Sequence, residues 1–349
     1  MTGLSLHPSI PTMQIAYQSV ENSAEILHRI RSLVDDDMTA IDRFIQVELC
    51  SDVPLTKEIT QHIFQVKGKR LRPLLMMLAA RALSQQKTME TSQYALAVVI
   101  EFVHTATLLH DDVVDQSSLR RGQRTANTIW GNPASVLVGD FLYSRAFQIL
   151  ARHQQPTIMK ILSETTNAIA EGEIMQLMHQ HSNTLSPDNY FHVITQKTAR
   201  LFSTAAEISA ILSGADKSDQ QAMKIYGLHL GITFQLIDDL LDYETSSTMT
   251  GKNIGDDLAE GKITLPLIYA IENTTTEKAA FIRNTVQQGN IDALPEVLVI
   301  LKETNAFTAT RHKAKEEANL ALQALNAIPP SVYRQALEEL VTFAVERAY

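Results

Sequence analysis

The pattern Asp-Asp-x-x-Asp occurs twice, as Asp111-Asp112-Val113-Val114-Asp115 and Asp238-Asp239-Leu240-Leu241-Asp242, and each copy closes a long apolar-periodic segment. Before the first copy, Ala95, Val99, Phe102, Ala106, Leu109 and Val113 recur at steps of four and three, tracing one helix face across residues 91–115. Residues 218–243 have the same character and carry the second copy. Elsewhere apolar-periodic stretches are separated by short polar breaks such as Ser84-Gln85-Gln86-Lys87, Ser182-Asn183-Thr184 and Ser213-Gly214-Ala215-Asp216, and strand patterns are nearly absent. An all-α fold of packed helices follows. Hydrophobic residues at 45% with aromatics at only 6% favour packed helices over stacked sheets. No Pro/Gly/Ser-rich linker divides the 349 residues. The expected organisation is therefore a flexible N-terminal arm over 1–24, with Pro8 and Pro11, and a single domain over 25–349.

On a helix, the first and last aspartates of each motif lie on one face, about 6 Å apart along the axis. Three carboxylates at a helix C-terminus repel one another and meet the negative end of the macrodipole, so the arrangement calls for cations. A single such cluster reads more readily as a solvated helix end; two copies favour a ligand. Oxygen donors without Cys or His partners suit magnesium, which shares its coordination with water and phosphate. The implied ligand is a diphosphate.

His104, Thr107, Asp111 and Asp115 form one polar stripe on the first helix. Gly227, Gly231, Gln235, Asp238 and Asp242 share a face on the second, where the glycines either admit a substrate or allow tight helix packing. Basic groups recur beside the motifs: Lys69, Arg70 and Arg72, then Arg120 and Arg121, Lys197, Lys252 and Lys262. Arginine forks and lysines in an otherwise acidic chain suit phosphate oxygens.

A net charge of -9 argues against nucleic-acid binding. Residues 255–262 do not have P-loop spacing, and zinc-protease, calcium-loop and serine-nucleophile motifs are absent from the sequence. His179-Gln180-His181 reads as a solvated helix end. The single cysteine, Cys50, offers no disulfide. With no apolar run of about 20 residues and no secretion-signal pattern at the start, the expected location is cytoplasmic.

At these residues the chain resembles the trans-polyprenyl diphosphate synthases, most closely their octaprenyl-type members. The resemblance runs from about residue 25 onward and rests on GKRLRP at 68–73, EFVHTATLLHDDVVD at 101–115, RRG at 120–122, KT at 197–198 and FQLIDDLLDY at 234–243, with GKNIGDD and EGK after them. It implies an all-α, isoprenoid-synthase-type helical bundle around a deep central cavity, and a magnesium-dependent enzyme, usually a homodimer, that condenses isopentenyl diphosphate with an allylic diphosphate such as farnesyl diphosphate. Octaprenyl diphosphate for a quinone side chain is the implied product. Roughly three magnesium ions per substrate-bound site are implied, held chiefly by Asp111, Asp115 and Asp238, with Asp112, Asp239 and Asp242 in support.

By the same resemblance, Arg120, Lys197, Lys252 and Lys262 hold the allylic diphosphate, and Lys69, Arg72, His104 and Arg121 the isopentenyl diphosphate. Thr198 and Gln235 stabilise an allylic cation. Ala106 and Thr107, one turn before Asp111, leave the first chain-length gate open, and Phe147 and Leu150 are candidates for a deeper floor or ordinary core residues. Ile263 stands where the family commonly has proline, which puts Lys262 in question. Product release by transient membrane contact is a further expectation. The competing readings are a shorter-chain geranylgeranyl-type synthase, a class I terpene cyclase, which would not use the second basic site, a non-catalytic synthase subunit, which would generally lack some of the six aspartates, and a helical metal-binding scaffold.

Overall fold

The computed structural model describes residues 23–65, 68–84, 89–181, 186–244 and 254–347. Nearly all of the arm expected over 1–24, together with Lys252, lies outside the described residues. Residues 23–32 form α1, so helix is established by residue 23. It is followed by α2 (Asp35–Glu48), α3 (Pro54–Gln65), α4 (Leu71–Leu83) and α5 (Thr91–Val114). A two-stranded hairpin, β1 (Leu119–Arg120) and β2 (Gln123–Arg124), pairs Leu119 with Arg124, and Gly122 takes φ 73° at its turn. Then come α6 (Ala126–Trp130), α7 (Asn132–Arg152), α8 (Pro156–His179), α9 (Pro187–Ile194), a π-helical turn (Thr195–Ala199), α10 (Arg200–Leu212) and α11 (Lys217–Glu244). The remaining helices are α12 (Asp256–Ala259), α13 (Leu265–Glu272), α14 (Thr276–Gln288), α15 (Leu294–Glu303), α16 (Ala306–Ala324) and α17 (Val332–Glu346).

Local sequence marks many of these boundaries. Proline stands in the first turn of α7, α8, α9, α13 and α15, where its missing N–H has no helical partner to lose. Ser186, Thr275 and Ser331 accept from the backbone N–H groups of Asn189, Lys278 and Arg334 and so cap α9, α14 and α17. At α5, Glu90 and Gln93 cap each other's backbone reciprocally.

The centre of the bundle is built by α4, α5, α10 and α11. α5 packs on α4, α7 and α10; α11 lies between α10 and α16, with α17 across α4 and α11. Leu74 through Ala79 are completely buried, so α4 is apolar on every face because every face meets another helix. α5 is the one helix among the described residues long and apolar enough to cross a bilayer, and 67% of its apolar window is buried inside the bundle, as suits a core helix.

The glycine alternatives on α11 resolve in favour of packing. A Cβ on Gly227 would lie 2.5 Å from the Phe202 carbonyl oxygen, and one on Gly231 would lie 2.6 Å from the Ala199 Cα. What approaches these glycines is the backbone of α10 and the π turn.

Candidate active site

The C-terminal ends of α5 and α11 deliver both aspartate motifs to one cavity of about 770 Å³. The described site expectations on its wall are Lys69, Arg72, His104, Thr107, Asp111, Asp115, Arg120, Arg121, Lys197, Thr198, Gln235, Asp238, Asp239, Asp242 and Lys262. Asp112 turns instead into a neighbouring cavity of about 80 Å³, shared with His62 and Arg124. Ala106 and Leu150 are buried in the apolar core with Phe147 packed against it, and none of the three lines the large cavity.

The first motif is compensated by three side chains, Arg120 from the hairpin that follows it and Lys197 and Lys262 from distant segments. The Lys262 Nζ sits 2.8 Å from Asp115 Oδ2 and 2.6 Å from Glu260 Oε2. Arg120 from the hairpin donates through Nε and Nη2 to Asp112 Oδ1, at 2.8 and 2.7 Å. Lys197 lies 3.8 Å from Asp111 Oδ2 and donates to Glu173 Oε2 and Gln176 Oε1, both at 2.7 Å. Burial opposes the Lys262 charge, but the Asp115, Asp257 and Glu260 carboxylates outweigh it and raise its pKa. Burial pushes the Glu173 carboxyl up to about 7 against the pull of Lys197.

Lys197 and Thr198 sit in the π turn, a geometry common at functional sites. The turn lies so close to α8 that a Cβ on Gly172 would fall 2.8 Å from the Lys197 backbone nitrogen. Thr198 Oγ1 donates to Gln235 Oε1 at 2.8 Å, and Gln235 Nε2 donates to Asp239 Oδ1 at 2.7 Å. Tyr190 donates to the other oxygen of Asp239 at 2.5 Å. Burial, reinforced by Asp257, raises the Asp239 pKa to about 7. The Asp242 side chain accepts from the Asp257 N–H at 3.2 Å, so α12 is tied to the second motif.

A basic end of the cavity is built from the start of α4 and the hairpin. The Arg121 guanidinium lies over Gly68, where a Cβ would come within 2.1 Å of Nη1. Arg72 stacks over Phe202 at 4.3 Å. Burial lowers the Arg72 pKa to about 10 and, aided by Arg347, the Lys69 pKa to about 8. Burial and the nearby Arg72 and Arg121 drive the His104 pKa well down. His104 is therefore a neutral imidazole at physiological pH.

Several cavity residues lay outside the sequence expectations. Glu173 and Gln176 are three residues apart on α8 and could have been found as a polar stripe on an apolar helix. Tyr190 and Arg347 had no local signal. Arg347, just after α17, places Nη1 2.6 Å from Asp238 Oδ1. His179 and Gln180 both reach the cavity wall, Gln180 Nε2 also donating to the Glu260 carbonyl at 2.6 Å, and the His181 ring lies 3.2 Å from the Gln287 carbonyl.

The Asp111, Asp115, Asp238 and Asp242 carboxylates present oxygen donors to one space, and three of them are matched by chain cations. Among the described residues no three acidic or imidazole groups close a metal cage by themselves. The donor set fits a hard divalent cation whose remaining positions are filled by water and phosphate.

Residues 53–301 match the polyprenyl synthetase family model. The chain belongs to the polyprenyl synthetase family. As a polyprenyl synthetase, it is a prenyltransferase. It is 45% identical to the octaprenyl diphosphate synthase of Haemophilus influenzae over 93% of this chain and 98% of the relative. The octaprenyl diphosphate synthase of Escherichia coli is also 45% identical, over 92% of this chain and 99% of that one. Among solved structures, polyprenyl synthase from Caulobacter crescentus, complexed with calcium and isoprenyl diphosphate, matches with TM-score 0.88 and 40% identity over 93% of this chain and 98% of its own. A decaprenyl diphosphate synthase from Rhodobacter capsulatus matches with TM-score 0.87 and 39% identity, covering 93% and 99%.

Proposed function

We propose that this polyprenyl synthetase extends an allylic diphosphate, such as farnesyl diphosphate, with isopentenyl diphosphate, and that its product is octaprenyl diphosphate for a quinone side chain. The observation that carries this reading is the convergence of two aspartate motifs and a separate basic end on one cavity. A cyclase acting on one diphosphate has no use for the basic end formed by Lys69, Arg72 and Arg121. All six aspartates are present, which disfavours a non-catalytic subunit.

Magnesium held by Asp111, Asp115 and Asp238, with Asp242 in support, would neutralise the departing allylic diphosphate. Lys197, beside Asp111, and Lys262, beside Asp115, would hold that diphosphate. The allylic C–O bond breaks with its electron pair leaving on the diphosphate, and the Thr198 and Gln235 oxygens face the resulting carbocation. Lys69 and Arg72 hold isopentenyl diphosphate so that its double bond forms the new C–C bond. The proton then lost from the condensed intermediate passes to pyrophosphate, so no protein base is needed. Arg120, on the cavity wall and paired with Asp112, joins Lys197 and Lys262 on the allylic diphosphate, and Asp112 supports the metal site through that pair. Lys252 completes the allylic site by resemblance alone.

We place this reaction in the cytoplasm, in one catalytic unit spanning 25–349, and in a homodimer. The dimer reading is supported by Ile174, Leu177 and Met178, which are 57%, 55% and 74% exposed on one face of α8. Transient membrane contact on product release predicts that liposomes accelerate turnover; unchanged turnover would remove it.

The deciding experiment is chromatography of products from labelled isopentenyl diphosphate, farnesyl diphosphate and magnesium, with Asp111→Ala alongside. Products of octaprenyl length, absent from the variant, are expected. Products of geranylgeranyl length would retain the enzyme class and remove the chain-length reading. No elongation would remove the synthase reading itself.

A further inference from the structure

The second aspartate motif carries a protein cation on Asp238. Arg347 is 3% exposed at its side chain, whereas Asp238 is 45% exposed and on the cavity wall. The guanidinium makes three contacts: Nη1 to Asp238 Oδ1 at 2.6 Å, Nη2 to the Phe234 carbonyl, and its carbon 3.6 Å over the Phe234 ring. The buried Nε has no hydrogen-bond partner. The present contacts therefore do not use the full hydrogen-bonding capacity of a guanidinium on the cavity wall.

The surroundings of Arg347 are repulsive. Lys69, Arg72 and Arg347 line the same cavity, and the Arg347 charge helps draw down the Lys69 pKa. Asp238 is the carboxylate that holds the guanidinium in that basic neighbourhood. A divalent cation on Asp238 would take that counter-ion away, and the nearest replacement anion is a diphosphate drawn in by Lys69 and Arg72. The flat stack on Phe234 lets the fork turn from one anion to the other while keeping its apolar contact.

We propose that Arg347 is a displaceable counter-ion, which masks Asp238 in the metal-free protein and transfers to the isopentenyl-side diphosphate when a divalent cation binds. Metal and diphosphate then bind cooperatively at the second motif, because each takes one partner from a pair that would otherwise keep the other. This rests on the reading that the aspartates hold a divalent cation.

The test uses Mn²⁺ as a paramagnetic probe on the purified full chain without allylic substrate, so no turnover occurs. Free Mn²⁺ is titrated by electron paramagnetic resonance with and without isopentenyl diphosphate, and Asp238→Asn identifies the second-motif component. Arg347→Gln is expected to bind that component about fivefold tighter than wild type in the absence of diphosphate. Isopentenyl diphosphate should tighten Mn²⁺ binding in wild type and much less in the variant. Arg347→Lys, which keeps the charge but cannot span Asp238 and the Phe234 carbonyl together, should fall between them. Unchanged or weaker Mn²⁺ binding in a folded Arg347→Gln protein would overturn the counter-ion. No Mn²⁺ binding by wild type or either variant would instead overturn the reading of the aspartates on which it rests.

Discussion

Lys69 carries a readable pH signature. With its pKa drawn down to about 8, chiefly by burial, it is charged below that pH and neutral above it. A neutral amine cannot attract diphosphate, so the KM for isopentenyl diphosphate is expected to rise as pH climbs from 7 to 9. Lys69→Arg, which stays protonated, should flatten that rise; an equal slope in both proteins would show that another group titrates. His104, neutral throughout this range, can donate a hydrogen bond to the same diphosphate but adds no charge. At this scale the aspartates and basic groups were legible because their spacing on a helix or beside a glycine fixes a common face. Arg347 and Tyr190 were not. Each acts through a partner more than 40 residues away in sequence, at separations of 109 and 49, and nothing in FAVERAY or PDNYF distinguishes them locally.

The π turn at Thr195–Ala199 converts a helix junction into a site. It brings Gln196 and the Lys197 backbone against α8 at Gly172, where a side chain would collide with them. Gly172→Ala is expected to push the turn outward and lower kcat by about tenfold or more while leaving far-UV circular dichroism intact. Gly227→Ala tests a different use of glycine. Its Cβ would strike the α10 backbone, and a loss of about 1–3 kcal/mol in urea unfolding is expected. Helical periodicity identified α5 and α11 with their ends near the motifs, since a buried stripe leaves a regular trace in sequence. It could not reveal a π turn, which adds one residue to a helical turn without changing which residue types are apolar. Nor could it say whether two glycines on one face meet a substrate or another helix, because both need the same missing Cβ.

Across the whole molecule, the separation of Thr107 from Ala106 sharpens the chain-length argument. Thr107 faces the cavity, whereas Ala106 is buried in the core. Thr107→Phe is therefore expected to shorten the products on chromatography while the protein stays folded; products of unchanged length would remove Thr107 from the tail path. Ala106→Phe should chiefly cost stability by overpacking. Phe147 and Leu150, in the same core, were chosen from their position along one helix, and sequence spacing alone could not show which way that helix faces.

The pairing of Lys197, Arg120, Lys262 and Arg347 with the acidic motifs bears on how the protein can be handled. Where a fold depends on a metal to quench its carboxylates, a chelator acts as a denaturant. Here the chain supplies its own counter-charges. A sample stripped with EDTA is expected to melt within about 3 °C of an untreated one, to survive storage in that form, and to regain full turnover when magnesium is returned.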